Sequence, residues 1–431
     1  YANRRLTTDM EIYITNIAGT DVNVSISAPL MKELGLDSTF SILAGENILK
    51  RIPLELQHSW KSVENKGIYI IASGEIVVHA INSERLSSDS FLVLPVDALG
   101  SDYYLLTWKS KATFKIIGVV DNTSIIIKPP TDVSLLVDGV AFNDSFTVQL
   151  NRFQTFTYLS GSSGSDLTGL RIISNQPVSV VSGNKRVSID GTSSDHLVEQ
   201  MLPVETWGKA FITLPPYNGW ADYYIKIVAS ENDTFITTPY NETIGPIHRG
   251  YYTLLTIPAQ TFALITTTKP VMVAMFVGSK TSLANRGDPS MVIVPSIEHY
   301  FVNYSFATPK TDNGSNFYNS VSVVIKANDT SGLKLDGKIV SGKNWKEVEG
   351  TDEFKGISFT ITPGGHTISH IDPNVNFTVL LFGTNRFDSY MMMAGMRMEF
   401  INKVDKIFSQ ESVFHPSIEG LMKVLTHDDD Q

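Results

Sequence analysis

Residues 166–216 read DLTGLRIISNQPVSVVSGNKRVSIDGTSSDHLVEQMLPVETWGKAFITLPP, and this stretch decides the predicted fold. It opens with a strand-like run, Leu170–Ser174, and a second apolar run, Val178–Val181, follows a proline. A Ser-rich loop then leads to Asp195, and the next apolar run ends at Pro203. Short apolar runs that alternate with polar positions and are separated by turn residues are typical of antiparallel strands. The stretch therefore predicts β-structure.

Three landmarks of this stretch recur along the chain. The first is a strand, an Asp/Asn-Thr turn and a strand, beginning at Ile12, Phe114, Tyr224 and Val323. The second is a strand pair with a tight turn, beginning at Gly67, Leu170, Phe262 and, more weakly, His370. The third is an aspartate in a polar loop before an apolar run, found at Asp89, Asp195, Asp288 and Asp388. The first three of these runs end at Pro95, Pro203 and Pro295.

The recurrence predicts an all-β tandem array of four antiparallel sandwich-like repeats of about 100 residues each. We place the repeats at residues 1–110, 111–219, 220–315 and 316–400, before a partly helical or disordered tail at 401–431. Each chain segment after a landmark proline leads straight into the next repeat, so the repeats are expected to share junction strands. A repeat is also about twice the size of a propeller blade, which leaves a propeller-like closed ring as the alternative.

The landmark aspartates and prolines are interpreted as structural residues of the repeat junctions. An aspartate that recurs at the same place in every repeat is explained by turn or capping geometry. Trp207, which follows the second junction, is expected to pack as a wedge between repeats.

Composition limits the classes of partner. The chain is 42% hydrophobic and 18% charged, which is typical of a folded protein. Its net charge is −10, and the basic pairs Arg4-Arg5 and Lys185-Arg186 are isolated, so nucleic acid is not an expected partner. The apolar runs are shorter than the ~18 residues that would suggest a membrane span.

The sequence contains more glycosylation acceptor triplets than its composition predicts. Nine Asn-x-Ser/Thr triplets occur, whereas about four are expected by chance. The candidate asparagines are Asn23, Asn122, Asn143, Asn232, Asn241, Asn303, Asn313, Asn328 and Asn376. Three of them fall in the Asp/Asn-Thr turn of the first landmark, where an exposed glycan can be accommodated. Although the chain has no cysteine, this excess predicts a secreted glycoprotein.

The chain resembles the IgGFc-binding protein N-terminal domain family over residues 10–400. The resemblance rests on MEIYITNIAGTDVNVSISAP, SNQPVSVVSGN and DHLVEQMLPVETWGKAFITLPP. It implies a domain of large secreted mucus or matrix proteins of animals. The family name implies immunoglobulin Fc binding, which we do not carry over because the domain also occurs in animals without IgG. Relatives carry cysteines near the third landmark, where this chain has Ser194, Asp195 and His196, so no disulfide is expected.

Arg286, Gly287 and Asp288 form an RGD tripeptide in a polar loop. Integrins recognise the guanidinium and the carboxylate at opposite ends of an exposed turn, and the carboxylate completes the shell of a metal ion. RGD-dependent cell adhesion is therefore a candidate function. The competing interpretation is that Asp288 is simply the recurring junction aspartate.

Catalytic and metal sites are not predicted. His366 and His370 are four residues apart in a β context, which places them about 13 Å apart along a strand, too far for one ion. Asp195 and His196 are adjacent, so on a strand they point to opposite faces and do not form a hydrolase pair. We expect no cofactor and no metal, and a hydrolase remains only a remote alternative.

Together these features predict a secreted, N-glycosylated, non-enzymatic structural or adhesive protein of an extracellular matrix, mucus or cell-surface assembly. Its partners are expected to be other extracellular proteins or glycans, within a larger polypeptide or assembly. The alternative is a receptor-like or lectin-like recognition module.

Overall fold

The structure is a computed structural model that describes residues 9–58, 63–84, 87–161, 165–191, 193–217, 221–278, 287–309, 317–385, 388–399 and 401–402. Arg286, Asn313 and residues 403–431 of the predicted tail therefore lie outside the described residues. Apart from six short 3-10 helices, the regular structure of the described residues consists of β-strands. The 3-10 helices are Lys32–Leu34, Leu54–Leu56, Val96–Ala98, Val204–Thr206, Ile297–His299 and Ala327–Gly332.

The strands are short and follow one another with tight connections. Those of the first half are β1 (Asp9–Asn16), β2 (Val22–Ser27), β3 (Ser38–Ile42), β4 (Asn47–Ile52), β5 (Val63–Glu64), β6 (Tyr69–Ala72), β7 (Ile76–Glu84), β8 (Ser87–Leu92), β9 (Asp102–Tyr104), β10 (Ala112–Gly118), β11 (Thr123–Lys128), β12 (Leu135–Val137), β13 (Val140–Phe142), β14 (Phe146–Leu150), β15 (Thr155–Leu159), β16 (Arg171–Ser174), β17 (Val178–Val187) and β18 (Asp195–Gln200). Those of the second half are β19 (Gly208–Ile212), β20 (Tyr223–Ala229), β21 (Thr234–Thr237), β22 (Thr243–Ile247), β23 (Tyr252–Ile257), β24 (Phe262–Val277), β25 (Ser290–Val294), β26 (Asn303–Ala307), β27 (Tyr318–Lys326), β28 (Leu333–Leu335), β29 (Lys338–Ile339), β30 (Lys346–Glu349), β31 (Thr351–Thr360), β32 (Gly365–His370), β33 (Phe377–Thr384) and β34 (Ser389–Met393).

Each predicted repeat is built from two antiparallel strand arrangements. The first has the orders β4-β1-β7-β8 and β3-β2-β6, and the second has β18-β17-β10-β15-β5 and β14-β11-β16-β9. In the third, β24 is long enough to join both arrangements, pairing with β20 and β25 in one and with β19 and β21 in the other. The fourth has β30-β31-β27-β33-β34 and β26-β32-β28-β29. The all-β, sandwich-like fold class is thus confirmed.

Strands cross from one predicted repeat into the next after each landmark proline. β9 pairs with β16, β19 pairs with β24, and β26 pairs with β32. A strand that lies before the predicted boundary therefore completes a sheet that lies after it. The repeats are joined by strand pairing, as the direct connections in the sequence predicted, although the exact boundaries stay a prediction.

Four strands, one from each predicted repeat, meet at the centre of the molecule. We call β8, β18, β25 and β34 the central strands. Contacts run from β8 to β18, from β18 to β25, from β25 to β34 and from β34 back to β8. The first and last predicted repeats therefore touch, and the central contacts form a closed circuit.

Four large hydrophobic clusters follow one another along the chain. The first lies between Ile12 and Val78, and the last lies between Tyr304 and Ala394. The second and third clusters fill the sequence between them, and the second also takes in Phe276 from β24. Burial of a large apolar side chain contributes about 1.5–3 kcal/mol. Neighbouring repeats are therefore held together by shared apolar packing as well as by shared strands.

The second landmark forms a pair of strands in the first, second and fourth predicted repeats, whereas in the third it forms one continuous strand, β24. Pro177 directly precedes β17, as the sequence predicted. Pro270, the proline of the corresponding landmark in the third predicted repeat, instead lies inside the 16-residue β24. Its missing N–H is tolerated because β24 changes partners there: Thr267 pairs with β21, whereas Val271 pairs with β20.

Candidate functional site

The recurring aspartates lie near the starts of the central strands, and all four are buried: Asp89 is the third residue of β8, Asp195 opens β18, and Asp288 and Asp388 lie just before β25 and β34. Asp89 and Asp195 are 0% exposed, Asp388 is 2% exposed and Asp288 is 6% exposed. Aspartate is rarely buried to this extent in folded proteins. The four-fold recurrence in the sequence thus corresponds to one polar centre rather than to four exposed loops.

Hydrogen bonds link this centre from one predicted repeat to the next. The Val198 N–H donates to Asp89 Oδ2 at 3.0 Å, and the Ser88 hydroxyl donates to Asp388 Oδ2 at 2.7 Å. The Ser389 hydroxyl accepts from the Asp288 N–H at 3.1 Å. Each of these bonds joins different central strands or their flanks. The aspartates therefore act as cross-links between repeats.

Burial disfavours the charged form of the Asp89, Asp195 and Asp388 carboxyl groups. Burial raises the pKa of Asp89 and of Asp195 well above the ordinary value, and the charges of Asp388 and Asp288 raise the Asp195 pKa further. Burial also raises the pKa of Asp388 to about 7. In the part of the chain that the structure describes, no lysine or arginine forms an ion pair with Asp89, Asp195 or Asp388. A protonated carboxyl group avoids the cost of burying an unpaired charge.

Asp195 and His196 do not form a hydrolase pair. Asp195 Oδ1 accepts from the backbone N–H of His196 at 2.7 Å, not from its ring. The His196 ring instead contacts the Asn184 carbonyl oxygen, at 2.9 Å from Nδ1, and the Asn82 amide, at 3.2 Å from Nε2. Burial lowers the pKa of His196 to about 3, so the ring is neutral. Because His196 is fully buried, it is held as a structural residue.

The landmark prolines end the first three central strands in a common geometry. Pro95 and Pro203 directly precede the 3-10 helices Val96–Ala98 and Val204–Thr206. Pro295 is followed, one residue later, by the helix Ile297–His299. The helical turn redirects the chain away from the centre and toward the strand that crosses into the next repeat.

Trp207 packs where the second predicted repeat joins its neighbours. Its side chain is 7% exposed, and its Nε1–H donates to the Leu202 carbonyl at 3.0 Å. Its ring lies 5.8 Å from the ring of Tyr104, on the crossing strand β9. The indole is part of the large second hydrophobic cluster, so its buried N–H is satisfied while its apolar face fills the core.

The carboxylate of the RGD tripeptide is buried. Asp288 is 6% exposed, and Gly287 has φ +82° and lies against Thr384. Arg286 lies outside the described residues. An integrin contact requires the aspartate to reach a metal ion on another protein. The arrangement favours the junction role of Asp288, and RGD-dependent adhesion stays an untested prediction.

The glycosylation candidates that the structure describes all lie at exposed positions, as do several asparagines outside acceptor triplets, such as Asn151 and Asn175. Asn23, Asn122, Asn143, Asn232, Asn241, Asn303, Asn328 and Asn376 are all exposed, and Asn313 lies outside the described residues. The fully buried asparagines are Asn16, Asn82, Asn184 and Asn319, and none of these belongs to an acceptor triplet. Acceptor triplets are thus restricted to positions at which a glycan meets solvent.

A buried ion pair, which the sequence did not predict, joins the second and third predicted repeats. Lys226 is 2% exposed, and its Nζ lies 2.7 Å from Asp166 Oδ2 and 2.7 Å from the Thr107 carbonyl oxygen. The same Nζ lies 4.6 Å from the Tyr252 ring centroid and 5.0 Å from that of Trp108. Burial would raise the pKa of Asp166, but the charge and hydrogen bond of Lys226 outweigh it and hold that pKa below its ordinary value.

His366 and His370, the two histidines that the sequence analysis weighed as metal ligands, are engaged in separate hydrogen bonds. His366 Nδ1 lies 2.8 Å from Asp336 Oδ2, whereas His370 Nε2 lies 2.8 Å from the Asp329 carbonyl oxygen. Among the described residues, no group of three or more His, Asp or Glu side chains has the geometry to hold a metal ion. None of the helices formed by these residues has the length and apolarity that crossing a bilayer requires.

Comparison with known proteins gives one family. The family model described as "IgGFc binding protein" matches residues 89–383, which is more than half of the chain. A Homo sapiens protein named IgGFc-binding protein is 23% identical over 427 residues, which is 95% of this chain but 7% of the relative.

The solved structures give only remote likenesses. An anti-sigma factor domain-containing protein covers 91% of this chain and 98% of its own, at 7% identity and a TM-score of 0.13. A Ruminococcus gnavus beta-glucuronidase covers 91% of this chain and 46% of its own, at 7% identity and a TM-score of 0.16. Neither likeness carries an argument about fold or function. The family match over residues 89–383 covers more than half of the chain, and by it this chain belongs to the IgGFc-binding protein family.

Proposed function

We propose that the chain is a secreted, N-glycosylated, non-enzymatic structural or adhesive unit of an extracellular assembly. It acts through contacts with other extracellular proteins or glycans, as part of a larger polypeptide. The observation that carries the proposal is the exposure of all eight described acceptor asparagines, set against the absence of acceptor triplets at the four buried ones.

The described acceptor asparagines lie at exposed positions, as glycan attachment requires. A glycan on Asn is bulky and needs a surface position. Asn122 and Asn232 lie in the turns that precede β11 and β21, and Asn328 lies in the 3-10 helix that precedes β28. Glycans at these equivalent turns would project from the same region of successive repeats and leave the centre of the molecule unaffected.

The burial and hydrogen bonding of the recurring aspartates support a non-enzymatic role. A catalytic carboxylate must reach a substrate, whereas Asp89, Asp195 and Asp388 are almost completely buried and bond to neighbouring strands. Their recurrence is thus explained by assembly of the repeats. A hydrolase remains the remote alternative, and detection of turnover on a panel of ester and glycoside substrates would revive it.

Mass spectrometry of the protein secreted from animal cells tests the proposal. Release of glycans by an amidase in heavy-oxygen water marks each occupied asparagine as labelled aspartate. We expect occupancy at several of the eight exposed sites, with the buried Asn319 as an unmarked internal control. Recovery of a secreted, folded protein with every acceptor site empty would contradict the glycoprotein proposal, and retention in the cytosol of the native cells would contradict secretion.

Recognition of an immunoglobulin Fc region is the second candidate, favoured by the family match. The relative that bears this name is matched over only 7% of its length, so its partner is a proposal for this chain. Binding of the chain to immobilised Fc, compared with the Fab fragment of the same antibody, tests it directly. Equal signals on both fragments, or none, would reject Fc recognition.

RGD-dependent cell adhesion is the form of the alternative, a receptor-like or lectin-like recognition module, that the tripeptide suggests. A cell-attachment assay with Asp288→Glu tests it, with Asp89→Glu as the matched junction variant. Loss of attachment only with Asp288→Glu, in folded protein, would support adhesion through the tripeptide. Equal losses would show that both changes act on the central strands.

A further inference from the structure

A cavity with a basic lining lies where the loop before β10 meets the end of β17. Its volume is about 410 Å³, within the range of small-molecule sites. The residues that line it are Lys109, Ser110, Lys111, Arg186, Val187, Ser188 and Ser194. Three side chains are cationic, three carry hydroxyl groups, and none is a carboxylate. The basic pair that is isolated in the sequence, Lys185-Arg186, thus belongs to a larger cluster in the fold.

The loop that forms this cavity is held rigidly by one buried side chain. Asn184 is 0% exposed, and its Oδ1 accepts from the Trp108 N–H at 2.8 Å. Its Nδ2 donates to the carbonyl oxygens of Trp108 and Ser110, both at 2.7 Å. The Lys185 N–H also donates to the Lys111 carbonyl at 2.9 Å. The backbones of the two segments that carry these cations are therefore fixed relative to each other.

The backbone on both sides of the cavity departs from regular geometry. Ser110 and Lys111 have φ values of +84° and +48°, a region that residues other than glycine rarely adopt. The pairing of β17 with β18 shifts register between Asn184 and Val187, so Lys185 and Arg186 form a bulge. Bulges occur often beside functional sites because they redirect side chains. The irregular backbone brings the basic side chains to one cavity, at a local cost in backbone conformational energy.

The cations repel one another in the unliganded protein. The pKa of Lys185 is lowered by partial burial and then by the nearby charge of Lys111. Neither Lys109 nor Lys111 forms an ion pair with any carboxylate of the described residues. The described residues that line the cavity include no carboxylate, although the chain carries 44 Asp and Glu residues. A bound polyvalent anion would relieve the repulsion and form charge-assisted hydrogen bonds.

We propose that this cavity binds a sulfate-bearing oligosaccharide. Sulfate groups present several acceptor oxygens to the lysines and Arg186, and the hydroxyl groups of Ser110, Ser188 and Ser194 suit the sugar hydroxyls. The choice of a saccharide rests on the proposed extracellular function, since sulfated glycans are the polyanions of that setting. The fixed loop gives selectivity for charge spacing, which a mobile lysine cluster would not.

Isothermal titration calorimetry with a heparin-derived hexasaccharide tests the site. The chemically desulfated hexasaccharide is the matched ligand control, and Lys109→Ser/Lys111→Ser is the test variant. Lys32→Ser/Lys338→Ser is the matched protein control, because it removes the same charge from exposed residues that do not line the cavity. We expect the test variant to bind the sulfated hexasaccharide at least about tenfold more weakly than the parent protein does. The control variant should bind within about twofold of the parent, and the desulfated ligand should not bind.

Several outcomes would overturn the proposal. These are no binding of the sulfated hexasaccharide, equal weakening in both double variants, or equal affinity for a single-stranded DNA of the same charge. Displacement by inorganic sulfate at equal sulfate concentration would show a free-anion site instead of a saccharide site. Urea unfolding of both variants checks their folding, and Arg186→Ser repeats the test from the second segment if the loop variant is unstable. Glycan occupancy is measured separately, so failure here leaves the proposed function standing.

Discussion

Replacement of Lys226 by methionine tests whether the buried ion pair between the second and third predicted repeats stabilises the fold. Methionine retains most of the apolar stem of lysine but leaves the Asp166 carboxylate without its cation. The Asp166 side chain is 19% exposed, so water replaces the cation only in part. Loss of one partner from a buried ion pair typically costs about 3–5 kcal/mol.

The surroundings of Asp166 place the expected cost at the lower end of that range. Asp166 Oδ1 still accepts from the Thr168 N–H at 2.9 Å and from the Thr107 hydroxyl at 2.9 Å. Asp166 Oδ2 still accepts from the Tyr252 hydroxyl at 3.0 Å. These donors continue to stabilise the charged form. We therefore expect Lys226→Met to lower the free energy of unfolding by about 3 kcal/mol.

Urea unfolding followed by tryptophan fluorescence measures this loss, because the Trp108 ring lies 5.0 Å from Lys226 Nζ. The matched control is Lys326→Met, which breaks an ion pair with Glu353 whose side chains are 59% and 61% exposed. Exposed pairs contribute little, so the control is expected to change the free energy of unfolding by less than about 1 kcal/mol. An equal effect of the two substitutions would refute the argument that burial makes the Lys226 pair important.

Three further predictions follow from the site. Because burial raises the folded-state pKa of Asp388 from 3.8 to about 7, its contribution to stability is complete below the ordinary pKa and is lost as pH rises from about 4 to about 7. Asp388→Asn should therefore flatten the fall of the urea midpoint between about pH 4 and pH 7, and an unchanged slope would contradict the assignment. Asn143→Gln should remove one glycan mass and leave the thermal midpoint unchanged, whereas Asn319→Gln, which disturbs the 2.7 Å bond from the Tyr390 hydroxyl, should lower that midpoint without changing the glycan mass. Trp207→Ala should cost about 3–5 kcal/mol of unfolding free energy in urea titrations, and a loss below about 1 kcal/mol would show that the indole is not part of the core.

The sequence was sufficient for the features that are encoded locally. Alternation of apolar and polar residues located the strands, and proline marked both the start of β17 and the ends of the first three central strands. Recurrence of Asp89, Asp195, Asp288 and Asp388 marked equivalent positions. These signals depend on backbone geometry within a few residues, which is the range over which sequence patterns are informative.

The environment of those positions could not be predicted in the same way. Aspartate in a Ser-rich segment suggests an exposed turn, yet its burial is produced by strands that are distant in sequence. The Val198 N–H that binds Asp89 is 109 residues away, and the Ser88 hydroxyl that binds Asp388 is 300 residues away. The buried position of Lys226 is also marked locally in the sequence, because this lysine lies in the middle of the apolar run YYIKIVA. A charge at such a position requires a buried partner.

The polar centre also explains how the sheets can end at the centre of the molecule without leaving the edges of the central strands exposed there. Each central strand is hydrogen-bonded along one side to its own sheet, so its other side presents unpaired backbone groups. Side chains of neighbouring repeats satisfy several of them: Gln200 Oε1 accepts from the Leu94 N–H at 3.1 Å, and the Ser90 hydroxyl donates to the Met391 carbonyl at 3.2 Å. The His79 ring lies 2.9 Å from the Met393 carbonyl oxygen. Because these contacts close from the fourth repeat back to the first, removal of any one repeat would leave two central strands with unsatisfied edges.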